Sequence, residues 1–337
     1  MISPVVKARS STMARRRVLL AVRNPEAARH PGLAKAIQVA RALNASLELF
    51  HAITQPVALD MSTLGDNSID ALRERIEGEC RIHLLRWTQS ARGHGIEATC
   101  SVAWDFPPHE AVVRRATAIG ADLIIAETHH GRRTRPWLIH LTDWELLRTS
   151  PVPVLLIRSS RPYHRPLILA AIDPSHSHAK PSKLDSRIYD AGAEWSEGLR
   201  GTLHVVHANY PSIVGLTPPA SKTWSTMSFD ALKEQERKAF AEFRSSVKLP
   251  RKRAHLVEGN PAVEIPRFAE ELGADIVVMG ALSRSGLERV FIGNTAERVL
   301  ASLESDVLVV KPEQFKSRVA REPRGLRVQL PAPILAS

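Results

Sequence analysis

Apolar residues in this chain fall into two alternating rhythms. Short runs that are apolar at nearly every position, at 18–22, 123–126, 154–157, 275–279 and 307–310, predict strands buried on both faces. Between them lie segments whose apolar residues are three and four apart: Leu33, Ile37, Ala40 and Leu43; Ile69, Leu72, Ile76, Cys80, Leu84 and Trp87; Ala296, Val299, Leu300 and Leu303. That spacing makes one face of a helix apolar. Strand and helix in alternation need crossover connections, which place the strands in a parallel sheet with helices on its faces.

The rhythm runs through the chain twice. Residues 120–125 (GADLII) match 273–278 (GADIVV) at an offset of 153, and the same offset sets Pro108 on Pro261, Arg114 on Arg267, Thr142 on Thr295 and 154–157 on 307–310. Upstream, 20–25 (LAVRNP) matches 169–174 (LAAIDP) at an offset of 149. A period of this size is that of a domain, so the chain is a duplication and not a solenoid. The first copy reads as strands at 18–22, 46–52, 96–102, 123–126 and 154–157, with helices at 30–43, 69–87, 110–119 and 143–147. The second copy repeats this from Leu167, with a strand at 202–208 and a long loop at 209–225. A helix carrying Phe229, Leu232, Ala239 or Phe240, Phe243 and Val247 follows, and its run Glu234 to Lys238 reads as a solvated face. The fold class is α/β: two tandem domains, at 17–160 and 165–313, each an open five-stranded parallel sheet with helices on both faces. The linker at 159–165 is short enough to keep the domains packed together.

Charge changes this picture little. Of the net +11, residues 1–17 carry +5 and residues 313–337 carry +3, which leaves +3 for everything between. The segments 1–16 and 314–337 are therefore predicted to be basic disordered tails, and a charge excess held in tails argues against a specific nucleic-acid partner. No apolar run approaches the roughly 20 residues needed to span a membrane, and the apolar segment behind the basic N-terminus is too short for a secretory signal. Cys80 and Cys100 read as buried free thiols, consistent with a cytoplasmic protein.

Both copies resemble universal stress protein domains, and the tandem is most similar to the E-type members of that family. The likeness rests on the five-strand pattern, on a loop reading Gly280-Ala-Leu-Ser283, nine residues, then Gly293-Asn-Thr295, and on the segment 142–147 (TDWELL). In the family this loop runs glycine, two residues, glycine, nine residues, glycine, then serine or threonine, and nucleotide-binding members hold ATP there. The resemblance thus implies ATP in the second copy, with a site of Asp173, Val206, Met279, Gly280, Ser283, Gly293, Asn294 and Thr295. Glycines let backbone N–H groups approach a phosphate, and a helix N-terminus adds unpaired donors and partial positive charge. The departures are Ser283 for the second glycine and Asn294 for the hydroxyl residue. Two readings stand side by side: a nucleotide seat, or glycines that only turn the chain and start a helix. In the first copy Glu127, His130 and His140 replace the three glycines and Asn24 replaces Asp173, so no nucleotide is expected there.

His129, His130, His140 and Asp143 lack the spacing of a metal site, and no nucleophile elbow or Walker loop occurs. No enzyme activity is expected, and no metal. The resulting expectation is a stress-response module that acts by binding. The alternatives are an ATP-binding protein with slow hydrolysis in the second copy, or a carrier of another small ligand in the sheet-edge crevice. Single-domain members of the family pair through their last strand, so Val154–Ile157 and Val307–Val310 are expected to meet across the interface inside the chain. A homodimer of such tandems stays open.

Overall fold

The computed structural model describes residues 15–30, 32–58, 66–128, 141–174, 183–209, 226–280 and 294–329. In the first copy they form β1 (Arg17–Ala21), α1 (Leu33–Ala42), β2 (Ser46–Ile53), the short β3 (Val57–Ala58), α2 (Asp66–Gly93), β4 (Ala98–Trp104), α3 (Pro108–Ile119), β5 (Leu123–Glu127), α4 (Leu141–Thr149) and β6 (Val154–Ile157). The second copy supplies β7 (Leu167–Ala171), α5 (Leu184–Gly198), β8 (Thr202–Asn209), α6 (Thr226–Ser246), β9 (Ala254–Glu258), α7 (Pro261–Leu272), β10 (Ile276–Gly280), α8 (Asn294–Ser302) and β11 (Asp306–Val310), followed by the short β12 (Val328–Gln329). The duplicated punctuation acts the same way in both copies. Pro108 and Pro261 open α3 and α7, where a missing N–H costs nothing, and Gly120 (φ 62°) and Gly273 (φ 69°) close them in the left-handed conformation.

Each copy contributes five parallel strands, in the orders β4-β2-β1-β5-β6 and β11-β10-β7-β8-β9. The two sets are not separate sheets. β6 and β11 pair antiparallel, Leu155 opposite Leu308, and join all ten strands into one. The expected meeting of the two last strands is what removes the gap between the expected sheets. Each of these strands is buried along its whole length, as an interior strand covered on both faces must be.

Helices cover both faces, and each face is one core. One cluster joins Ile37 of α1, Trp87 of α2, Ile188 of α5 and Phe240 of α6. The other joins Val113 of α3, Leu147 of α4, Ile265 of α7 and Leu300 of α8. Both clusters cross the boundary between the copies. Phe240 is the inward residue of α6, while Phe229 and Leu232 lie outside the described side chains. Glu236, one turn before Phe240, is buried as well, so the run at 234–238 is not wholly the solvated face expected of it. Cys80 and Cys100 are free, half-buried rather than buried.

A buried polar group staples the copies. Asp306, at the start of β11, accepts from Lys35 Nζ of α1, from Tyr163 Oη at 2.6 Å and from the backbone N–H groups of Arg158 and Ser159 at 2.8 and 3.2 Å. Burial, with Asp306 beside it, pushes the Tyr163 phenol well above its ordinary range. The linker is fixed further where Gln38 and the Tyr163 backbone exchange hydrogen bonds of 2.8 and 2.9 Å.

The segment expected to be a disordered tail from 314 is ordered through 329. It crosses back onto the first copy as a strap. Asp105, buried at the end of β4, is held bidentately by Arg114 at 2.6 and 2.8 Å and accepts the Arg324 backbone N–H at 2.9 Å. The Arg324 guanidinium reaches Glu110, Leu326 packs in the small cluster of Ile53 and Trp104, and β12 pairs with β3. These contacts supply the apolar and ionic partners that the segment's own composition lacks.

Candidate functional site

The sheet brings part of the expected site together at the carboxyl ends of neighbouring strands, where open α/β folds form their crevices. Asp173 lies just past β7, Val206 is in β8, and Met279 and Gly280 end β10; β10 and β8 flank β7 on its two sides. Asn294 and Thr295 open α8. Ser283 and Gly293 lie outside the described residues, as do His130 and His140 of the first copy.

The side chains differ in what they offer. Val206 is sealed in the core at 0% exposure and Met279 is nearly so; Val206 also gives its carbonyl to the Ile172 N–H at 3.0 Å. Both are core side chains, so neither offers a group at the strand ends. Asp173 is a third exposed, the polar group at the strand end. Its backbone N–H donates to Asp185 Oδ1 at 2.9 Å, and the buried His207 ring places Nδ1 4.0 Å from Asp173 Oδ1 and 3.2 Å from the Ile172 carbonyl. Reading the sequence missed both neighbours. The acid in the first turn of α5 was a visible signal for Asp185; His207 needed the register of β8.

Gly280 serves close approach, not left-handed backbone, for it is not among the described glycines of positive φ. A Cβ there would come within 2.8 Å of Leu184 Cδ2 and 3.1 Å of Ile188 Cδ1. The bare strand end therefore lets α5 settle against the sheet.

The equivalent strand end in the first copy is filled. Glu127 closes β5 and turns its carboxylate onto the start of α1, where Oε1 accepts the Gly32 N–H at 2.5 Å. His30 Nδ1 lies 2.7 Å from the same oxygen, close but not aligned as a hydrogen bond, and its ring meets Trp87 edge-on with centroids 4.9 Å apart. A Cβ at Gly32 would stand 2.9 Å from Glu127 Oε1, so a side chain there would displace the carboxylate from its place. Asn24, in the place of Asp173, is used locally and accepts the Glu26 N–H at 3.0 Å. Among the described residues, no group of three or more His, Cys, Asp or Glu side chains could hold a metal ion, and no helix is long and apolar enough to cross a membrane.

Comparison with known proteins agrees with this architecture. The model of the universal stress protein family matches residues 14–158 and again 168–311. Universal stress protein E of Escherichia coli K12 is 26% identical over 303 residues, which cover 89% of this chain and 96% of that one. Among solved structures, a putative universal stress protein from Pseudomonas aeruginosa UCBPP-PA14 superposes with a TM-score of 0.68 at 28% identity, covering 89% of this chain and 94% of that one. A universal stress protein from Archaeoglobus fulgidus DSM 4304 shares the fold, with a TM-score of 0.57 at 17% identity over 87% of this chain and 98% of that one.

Proposed function

Because the chain belongs to the universal stress protein family, with two of its domains in tandem, we propose that it is a cytoplasmic stress-response module that acts by binding, not by catalysis, through one ligand crevice in the second domain. The observation that carries this reading is the difference between two equivalent strand ends. β10 ends in Gly280, which has no side chain, whereas β5 ends in Glu127, whose carboxylate already bonds the first turn of α1. An anion entering the first crevice would meet the Glu127 carboxylate at the strand end. At an effective dielectric constant of about 20 and a distance of about 4 Å, that repulsion is about 4 kcal/mol.

In the second domain the donors at the start of α8 are available to a phosphate. ATP is the ligand this reading names, with its phosphates over 280–283 and 293–295 and its base beside Asp173. Calorimetric titration with Mg-ATP tests it. The parent takes one equivalent per chain, Ser283→Gly tightens binding by on the order of 1 kcal/mol as strained backbone relaxes, and Gly293→Trp abolishes it. Two equivalents, or binding indifferent to Gly293, rejects the placement. No heat from any of the three proteins favours a loop that only turns the chain.

A further inference from the structure

β8 and β9 are the last two strands on the second-domain side of the sheet. Their register sets Val206 opposite His255, two positions along from His204, so the two histidines share one face and sit diagonally on neighbouring strands. His204 Nδ1 and His255 Nε2 are 2.8 Å apart. The ring planes agree within 2° while the centroids are 5.1 Å apart, so the rings meet edge to edge and not face on face, the N–H of one donating to the lone pair of the other. Phe268 of α7 lies 4.7 Å from the His255 ring, centroid to centroid, and holds it against the sheet. Among the described residues, neither histidine pairs with a carboxylate.

We propose that His204 and His255 form a binding site for a divalent transition-metal ion of the imidazole-preferring kind, Cu(II) above all, at the outer edge of the second domain. Two nitrogens about 2.0 Å from one metal and at right angles to each other are about 2.8 Å apart. The strands already hold the donors at that spacing. Moving the shared proton to the far nitrogen of its own ring and turning each ring by roughly 45° aims both lone pairs at one point, and water completes a tetragonal centre. A pair of imidazoles without a carboxylate disfavours magnesium and calcium, and among first-row divalent ions copper binds such donors most tightly. Burial, and for His204 also the neighbouring His255 and Arg253, pushes both rings below the usual imidazole range. The Arg253 guanidinium opposes a second cation beside it.

The test uses the full chain and Cu(II) delivered from its glycine complex. The parent binds one equivalent with a tetragonal electron paramagnetic resonance spectrum showing coupling to two imidazole nitrogens. His204→Ala and His255→Ala, each checked for folding by circular dichroism, weaken binding at least about tenfold and lose that coupling. Arg253→Ala strengthens binding. His94→Ala, whose ring bonds the Ser90 carbonyl of its own helix, leaves it unchanged. Copper held at parent strength by both His204→Ala and His255→Ala belongs to other histidines and overturns the proposal, as does a parent that binds no copper.

Discussion

Glu127 and Gly280 occupy the same place in the two copies, and the exchange decides whether a side chain fills the strand end. In the first copy Glu127 fills it and bonds the start of α1; in the second the strand end is bare. The mismatch is legible in the sequence at the 153-residue offset, but the turn of Glu127 back onto α1 is not, because it depends on a glycine 95 residues away. Lys311 is a second residue whose role only the folded chain reveals. It follows β11, is 2% exposed, donates to the Leu147 carbonyl in the last turn of α4 and lies 4.5 Å from the Phe315 ring centroid. Both contacts favour the ammonium, yet burial pushes its pKa down to about 7. The native state thus binds fewer protons than the unfolded state between about pH 7 and 10.5. Stability is expected to rise with pH across that window, by at most about 1.4 kcal/mol per unit. Urea midpoints at pH 7 and pH 9 check this: Lys311→Met should flatten the rise, and an equal rise in the variant would assign it to other groups.

At the scale of elements, the strands and most helices are readable because each carries its own signal. Fully apolar runs mark strands buried on both faces, and Pro108 with Gly120, or Pro261 with Gly273, mark helix ends. The strap escapes such reading. Residues 314–329 look disordered by composition because their partners are far away in the chain: Asp105 and Glu110 for Arg324, and Trp104 with Ile53 for Leu326. The histidine pair escapes it for the same reason, since only the register of β8 against β9 brings His204 to His255. Ending the chain after Pro312 should release the edge of the first domain while leaving the far edge of the second, beyond the Lys311–Phe315 contact, as it was. Native-state hydrogen exchange is expected to quicken at residues 53–58 and 104–110 and to stay unchanged at 254–280. Unchanged protection at both would show that the strap rests on the surface without holding it.

For the whole molecule, the shared cores matter more than the domain boundary. Each apolar cluster crosses from one copy to the other, and the Asp306 staple is buried between them. Calorimetry should therefore record one unfolding transition, not two. Asp306→Asn should lower it, with a destabilisation of about 3–5 kcal/mol because Lys35 is left as a buried, unpaired charge. Two transitions in the parent would mean that the copies unfold separately. The two sets of five parallel strands were legible in the sequence, but their continuation into a single sheet was not, because apolar edges predict a meeting but not that the meeting continues the sheet. The antiparallel seam between β6 and β11 also gives the molecule opposite poles. Strands of the first copy run one way and those of the second the other, so the two crevices open at opposite ends of the sheet. Glu127 and the strap lie at the first-copy pole, so on the proposed function a ligand would enter from the second-domain pole, and its binding would reach the other pole through the sheet and through the two cores that cross the copies.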